Sequence, residues 1–109
     1  MNIENLKSQM RKGMLEFCVL LLLRDRASYA SEMIASLKDA QLIVVEGTLY
    51  PLLTRMKNDG LLSYEWQEST SGPPRKYYFI TPVGMQVLEQ LSLAWAEINH
   101  TVEKLKIQN

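Results

Sequence analysis

The sequence predicts a mainly α-helical fold with one small β-hairpin and a long terminal helix, and three observations lead to this prediction. Apolar residues recur at three- and four-residue steps over most of the chain, as they do along one face of an α-helix. Residues 63–68 and 76–80 alternate as strands do, and the Gly- and Pro-containing residues 69–74 between them suit a hairpin tip. Helix, strand, turn and basic strand, in this order, are the elements of a winged helix-turn-helix.

Length and composition indicate a single domain with balanced charge. A chain of 109 residues is long enough for a modest core. Twelve Lys and Arg balance twelve Asp and Glu, so the composition does not itself indicate nucleic-acid binding. The single cysteine, Cys18, cannot form an internal disulfide. Residues 1–12 do not resemble a signal peptide and the apolar residues 17–23 are too few to span a membrane, so we expect a cytoplasmic protein.

The first helix is predicted over residues 3–24. One apolar face follows helical spacing and consists of Leu6, Met10, Met14, Phe17 and Leu21. Further Leu and Val side chains make the second half apolar on nearly all sides, and such a helix is buried by more than one neighbour. A domain this small offers few neighbours, so a partner chain is expected.

The second helix is predicted over residues 29–38, with Ser28 as its N-cap. Residues 42–45 are short and β-branched, which suits either a small strand or an extended entry to the next helix.

The third helix is predicted over residues 47–59 and ends at Gly60. Its inward face consists of Leu49, Leu52, Leu53 and Met56. Pro51 is tolerated if the helix starts near Gly47, because the first N–H groups of a helix have no internal partner.

The last helix is predicted from Pro82 to the C-terminal end. A heptad-like stripe of apolar residues runs along it: Leu88, Leu91, Trp95, Ile98, Val102 and Leu105. Roughly 26 helical residues span about 39 Å, longer than so small a domain covers from one side. We therefore predict a winged helix-turn-helix domain with its N-terminal helix over residues 1–81 and a dimerisation helix over 82–109, in one compact unit. Packing of the stripe on its own domain is the alternative.

Three separated stretches resemble a known family. Residues 47–62, GTLYPLLTRMKNDGLL, and residues 71–84, SGPPRKYYFITPVG, resemble the two signature stretches of PadR-family transcriptional regulators. Residues 10–25, MRKGMLEFCVLLLLRD, are similar to the first helix of that family. The order and spacing match, and the resemblance covers nearly the whole chain. It implies a DNA-binding regulator.

Candidate DNA contacts lie on the third helix and the hairpin, since a winged helix places its third helix in a groove of duplex DNA and its hairpin on the backbone. They are Thr48, Tyr50, Thr54, Arg55, Lys57, Arg75, Lys76 and Tyr77. The alternative for each Lys and Arg is an ordinary solvated charge. The chain departs from the family at Phe79, where a basic residue is common, and at Ala30 and Ser31, where Gly and Tyr are common.

Trp95 occupies a central a position, where Leu, Ile or Val pack best. In the PadR subgroup with a single C-terminal helix, which this chain resembles in length, a tryptophan at the matching place stacks on flat aromatic ligands at the dimer interface. The resemblance implies an effector site formed by Met10, Gly13, Met14, Phe17, Leu21, Trp95, Ile98 and Asn99. Methionines and aromatics suit varied hydrophobic, drug-like ligands. The alternative is that Trp95 only anchors the dimer.

No catalytic triad order, phosphate loop or close carboxylate pair is present in the sequence, and His100 lacks partners at metal-ligand spacing. We predict no enzyme, cofactor or metal. The predicted function is a homodimeric transcriptional repressor, bound to a pseudo-palindromic operator in duplex DNA and released by a hydrophobic or planar aromatic molecule. A winged-helix protein-interaction module without DNA binding is the alternative.

Overall fold

The computed structural model describes residues 2–107. Within them the order is α1 (Ile3–Asp25), β1 (Ser28–Tyr29), α2 (Ala30–Asp39), α3 (Glu46–Asn58), β2 (Leu62–Ser69), β3 (Gly72–Ile80) and α4 (Pro82–Ile107). The predicted helical architecture, with a small hairpin and a long last helix, is confirmed. Gln108 and Asn109, into which the last helix is predicted to continue, lie outside the described residues.

The sheet has a third strand that the sequence did not predict. Ser28 pairs with Tyr78 and Tyr29 with Tyr77, so the antiparallel order is β1-β3-β2. The prediction of Ser28 as the N-cap of α2 is therefore wrong, because Ser28 is a buried strand residue. Tyr29 is the residue before the helix, and its backbone N–H donates to Glu32 Oε1 at 2.9 Å.

The hairpin of β2 and β3, called the wing below, is longer than predicted. Ser69 pairs with Gly72, so the tip is a two-residue turn and the prediction of a tip over residues 69–74 is wrong. Pro73 and Pro74 lie inside β3, where a missing N–H is tolerated because this part of the strand pairs on one side only. Residues 42–45 form the extended entry to α3 rather than a strand.

Helix α3 begins at Glu46, one residue earlier than predicted. Pro51 is consequently its sixth residue and lies beyond the first turn. The explanation of Pro51 from the free N–H groups of the first turn is wrong, because at this position the ring removes the bond that would reach the Gly47 carbonyl. Burial of the apolar face of α3 maintains the helix despite that loss, since Leu49, Leu53 and Met56 are fully buried.

A hydrogen-bonded junction joins α3, the wing and α4. Gly60 ends α3 with a φ of 81°, in the left-handed region that favours glycine. Thr81 Oγ1 donates to the Gly60 carbonyl at 2.6 Å and accepts from the Gly84 N–H at 2.9 Å. Gly84 is buried, and a Cβ there would collide with the Leu61 carbonyl and lie 2.7 Å from Ile80 Cγ1. The close backbone contact at Gly84 sets the direction in which α4 leaves the wing.

The core lies between the second half of α1, helices α2 and α3, the sheet and the start of α4. Its fully buried side chains include Val19, Leu20, Met33, Leu49, Leu53, Met56 and Leu62. Leu88 is only 3% exposed and Leu91 is half-buried against this core. The assignment of Leu88 to a dimerisation stripe is therefore wrong, because its own chain already covers it. None of the helices among residues 2–107 is long and apolar enough to cross a membrane.

Candidate nucleic-acid interface

A groove, called the wing groove below, separates the wing from α3 and the start of α2. Its volume is about 370 Å³, and its lining residues are Tyr29, Ala30, Ser31, Tyr50, Thr54, Trp66, Pro74, Arg75, Lys76 and Tyr78. A smaller cavity of about 130 Å³ shares Thr54, Lys76 and Tyr78 with it and adds Lys57 and Asn58 near the end of α3. Together they form a continuous concave surface along the outer side of α3.

The charges along this surface have one sign. Arg75 and Lys76 line the wing groove and Lys57 lines the adjoining cavity, whereas no Asp or Glu belongs to either lining among the described residues. Within residues 2–107 these three cations have no carboxylate partner within 4.0 Å. Because basic and acidic residues are equal in number over the whole chain, this surface is a local concentration of positive charge.

Aromatic rings hold the two wing cations. Arg75 Cζ lies 3.9 Å from the centroid of the Tyr29 ring. Lys76 Nζ lies 4.6 Å from the Tyr64 ring centroid and 5.5 Å from that of Trp66. A ring face attracts a cation without neutralising it, so both side chains keep N–H donors for an anion.

Hydroxyl groups complete the surface. Tyr50 and Thr54 of α3 and Ser31 of α2 all line the wing groove. Tyr78 lies beneath them, and burial, followed by the phenols of Tyr50 and Tyr64, raises its pKa above the ordinary value of a tyrosine. Its hydroxyl therefore stays neutral at physiological pH. Unpaired cations beside neutral hydroxyl donors suit the oxygens of a phosphate.

The structure brings together five of the eight predicted DNA contacts, namely Tyr50, Thr54, Lys57, Arg75 and Lys76. Thr48 lies elsewhere, in a cleft between α1 and the entry to α3. Arg55 lines neither the wing groove nor the adjoining cavity, and its guanidinium lies 3.3 Å from Glu16 of α1. Tyr77 lines neither the wing groove nor the adjoining cavity, and its ring packs against Tyr29 with 4.9 Å between the centroids.

Sequence reasoning missed several aromatic residues of this surface. Trp66 pairs with Lys76 and Tyr64 with Tyr78, so all four share the sheet face that meets α3. Strand alternation would have placed Tyr64 and Trp66 on one face, but the partner residues follow only from the register. No periodicity indicated Tyr29, because β1 has only two residues.

The predicted effector and dimerisation residues form a second surface. From Trp95 to Leu105 the stripe on α4 is 43–62% exposed, and Asn99 is exposed beside it. On α1, Met10 and Gly13 are also exposed and Met14 is half-buried. Phe17 and Leu21 are half-buried against the core of their own chain. Residues 2–107 hold no group of three or more His, Cys, Asp or Glu arranged to bind a metal.

Comparison with known proteins gives one consistent family. The transcriptional regulator PadR-like family matches residues 19–90. A solved PadR-like transcription factor from Bacteroides fragilis is 63% identical, with a TM-score of 0.80 over 93% of this chain and 98% of that one. A PadR-family regulator from Eggerthella lenta is 34% identical, with a TM-score of 0.90 over 98% and 94% of the two chains. One from Bacillus cereus is 36% identical, with a TM-score of 0.81 over 93% and 99%.

Proposed function

The chain belongs to the PadR-like family of transcriptional regulators, and from this membership we propose that it is a homodimeric repressor that binds operator DNA in the cytoplasm. The family is one of regulators, not of enzymes. The observation that carries the proposal is that Lys57 of α3 and Arg75 and Lys76 of the wing line one surface, with no Asp or Glu among its described lining residues.

The positive charge of this surface and its position along α3 support duplex DNA as the ligand. The outer side of α3 presents Tyr50 and Thr54, which can reach into a groove of the duplex, while Arg75 and Lys76 stand beside it on the wing. Each phosphate that a cation neutralises releases counterions, and that release supplies the sequence-independent part of the affinity. A protein without net charge depends on such a local cluster, because no long-range attraction assists it.

A second copy of the chain would cover the exposed stripe of α4. Trp95, Ile98, Val102 and Leu105 lie on one face and extend beyond the part of the helix that packs on its own core. A contiguous exposed apolar patch of this kind marks an interaction site. Two-fold symmetry would then present two α3 helices to half-sites about 34–36 Å apart, as a pseudo-palindromic operator requires.

Trp95 would also provide the effector site. At the interface between two copies of the chain, its half-exposed indole and Met10, Gly13 and Met14 of α1 would line a slot for a hydrophobic or planar aromatic, drug-like molecule. A ligand that widens this slot would change the spacing of the two α3 helices and so weaken operator binding.

The test is the salt dependence of duplex binding, which also separates this proposal from a protein-interaction module without DNA binding. Replacing Arg75 and Lys76 with Gln should lower affinity for all sequences alike and reduce the slope of log affinity against log salt by about one to two units. The matched control replaces Lys38 and Lys104, which are exposed and outside the wing groove, and should change neither quantity. If the natural protein shows no salt-dependent duplex binding, the proposal is wrong.

A further inference from the structure

Trp66 is a large aromatic residue on the wing that the core of its own chain does not bury. Its side chain is 60% exposed on β2, directly opposite Lys76 of β3. The indole meets the Tyr64 ring edge-on, with 5.6 Å between centroids, and the Lys76 ammonium lies 5.5 Å from it. These contacts fix the orientation of the ring while most of its surface stays open, as a binding residue needs.

The two cavities that Trp66 lines differ in the charge of their other lining residues. On the side of α3, Trp66 lines the wing groove together with Tyr50, Thr54 and Lys76, where no acidic residue lies among the described lining. Trp66 also lines a second, open cavity, together with Glu68, Pro73 and Pro74. An anion would therefore approach Trp66 from the side of α3.

We propose that Trp66 contacts the sugar-phosphate backbone of duplex DNA. This rests on the proposed function above and adds a residue to it. The ring would pack on a deoxyribose of the strand whose phosphate Lys76 binds, and indole Nε1–H would donate to a phosphate oxygen. An indole has a donor and no acceptor, which suits a phosphate surface that consists of acceptors.

The surroundings of Trp66 favour duplex DNA over a single strand as its ligand. Stacking on a base requires an unpaired, splayed-out nucleotide, and an aromatic residue that binds single strands offers its face for that purpose. Here the Lys76 ammonium lies over the indole, so a base stacked on that face would displace the cation, whereas a sugar next to a phosphate that Lys76 binds would not. Trp66 lines the wing groove and is 60% exposed, so its ring is accessible to a ligand in that groove.

The affinity experiment uses the whole chain and two duplexes of about 30 base pairs, roughly three helical turns, one rich in A·T and one in G·C, with a single strand of the same length for comparison. Trp66→Ala should lower affinity about three- to tenfold on both duplexes with an unchanged salt slope, because the side chain carries no charge. Trp66→Phe should recover part of the loss, since it keeps an apolar ring without the donor. Gln67→Ala, on the next residue of β2 and the opposite face, should have no effect.

Fluorescence gives a second readout. The chain has two tryptophans, so only Trp95 emits in Trp66→Phe. Duplex should change the emission of the natural protein more strongly than that of Trp66→Phe, and the difference between the two changes is the contribution of Trp66. Thermal unfolding would show whether Trp66→Ala is folded. If it is not, the fluorescence comparison still tests whether Trp66 contacts the duplex.

The outcomes separate the two proposals. Duplex binding that persists at natural affinity in Trp66→Ala, or an emission change on binding that is no larger than in Trp66→Phe, overturns the role of Trp66 and leaves the proposed function standing. A preference of Trp66 for single-stranded DNA, seen as a larger loss on a single strand than on a duplex, overturns the backbone contact. Absence of duplex binding in the natural protein refutes the proposed function itself.

Discussion

Replacing Ile98 with Glu should convert the proposed dimer into a folded monomer. Ile98 lies on the exposed part of the α4 stripe, where 57% of its side chain is open to solvent in the single chain. The core of the chain does not use it, so the substitution should leave the fold intact. The same change at Leu88 would instead place a carboxylate in the core and unfold the chain.

The magnitude follows from the exposed area. Four stripe residues, Trp95, Ile98, Val102 and Leu105, are roughly half exposed, and full burial of a large apolar side chain contributes about 2 kcal/mol. Covering the remaining half in two copies gives about 8 kcal/mol before the costs of association. The Ile98→Glu substitution in both copies would remove about 2 kcal/mol of that and add at least about 2 kcal/mol for two desolvated carboxylates. The dimer dissociation constant should rise about a thousandfold.

The assay is analytical ultracentrifugation over a range of concentrations, with circular dichroism to establish that the helices persist. His100→Glu is the matched control, because it introduces the same carboxylate on an exposed residue of α4 outside the stripe. A folded Ile98→Glu chain that sediments as a dimer with an unchanged dissociation constant would refute the proposed interface.

Three further predictions concern stability and ligand binding. Gly84→Ala should lower the free energy of unfolding by about 2–4 kcal/mol in denaturant titrations, because the added Cβ would overlap the Leu61 carbonyl. Gly13→Ala is the control and should be tolerated, because a Cβ there meets nothing within 4 Å. Burial raises the pKa of Tyr78 in the folded state above the unfolded value of about 10. The stability that the neutral phenol contributes is therefore complete below that unfolded pKa and is lost as pH rises above it. Tyr78→Phe should flatten this decline in the free energy of unfolding when unfolding is measured at alkaline pH. A flat aromatic dye should quench Trp95 emission in a Trp66→Phe background, and the affinity for the dye should fall at least about tenfold in Trp95→Ala. Equal dye binding without Trp95 would rule out the effector site proposed at this residue.

Periodicity predicted the elements whose pattern is long enough to repeat. The four helices and both wing strands lie within a few residues of their predicted bounds because each has a regular apolar pattern in the sequence. Strand β1 could not be predicted, since two residues have no period. The wing tip was misplaced because Pro73 and Pro74 suggest a turn, although they also fit an unpaired strand edge.

The candidate site could be predicted only where local pattern decides orientation. The outward side of α3 and the two wing cations follow from spacing, and the structure brings them together. The pairing of Arg55 with Glu16 joins residues that are 39 positions apart, so only the tertiary fold reveals it. The heptad pattern likewise cannot distinguish a partner chain from the core of the same chain, which is why Leu88 was assigned to the wrong surface.

The junction at Thr81 determines how an effector at α4 would act on DNA binding. Thr81 bonds to the Gly60 carbonyl at the end of α3 and to Gly84 in the first turn of α4, while Gly84 lies in close contact with the backbone at Leu61. Because these hydrogen bonds and this close contact connect them, α3, the wing and the start of α4 should move together. A ligand beside Trp95 would then rotate each DNA-binding surface as a rigid body and change the distance between the two α3 helices, without reshaping the wing groove. We therefore expect an effector to weaken binding to a spaced pair of half-sites while leaving the affinity for a single half-site unchanged.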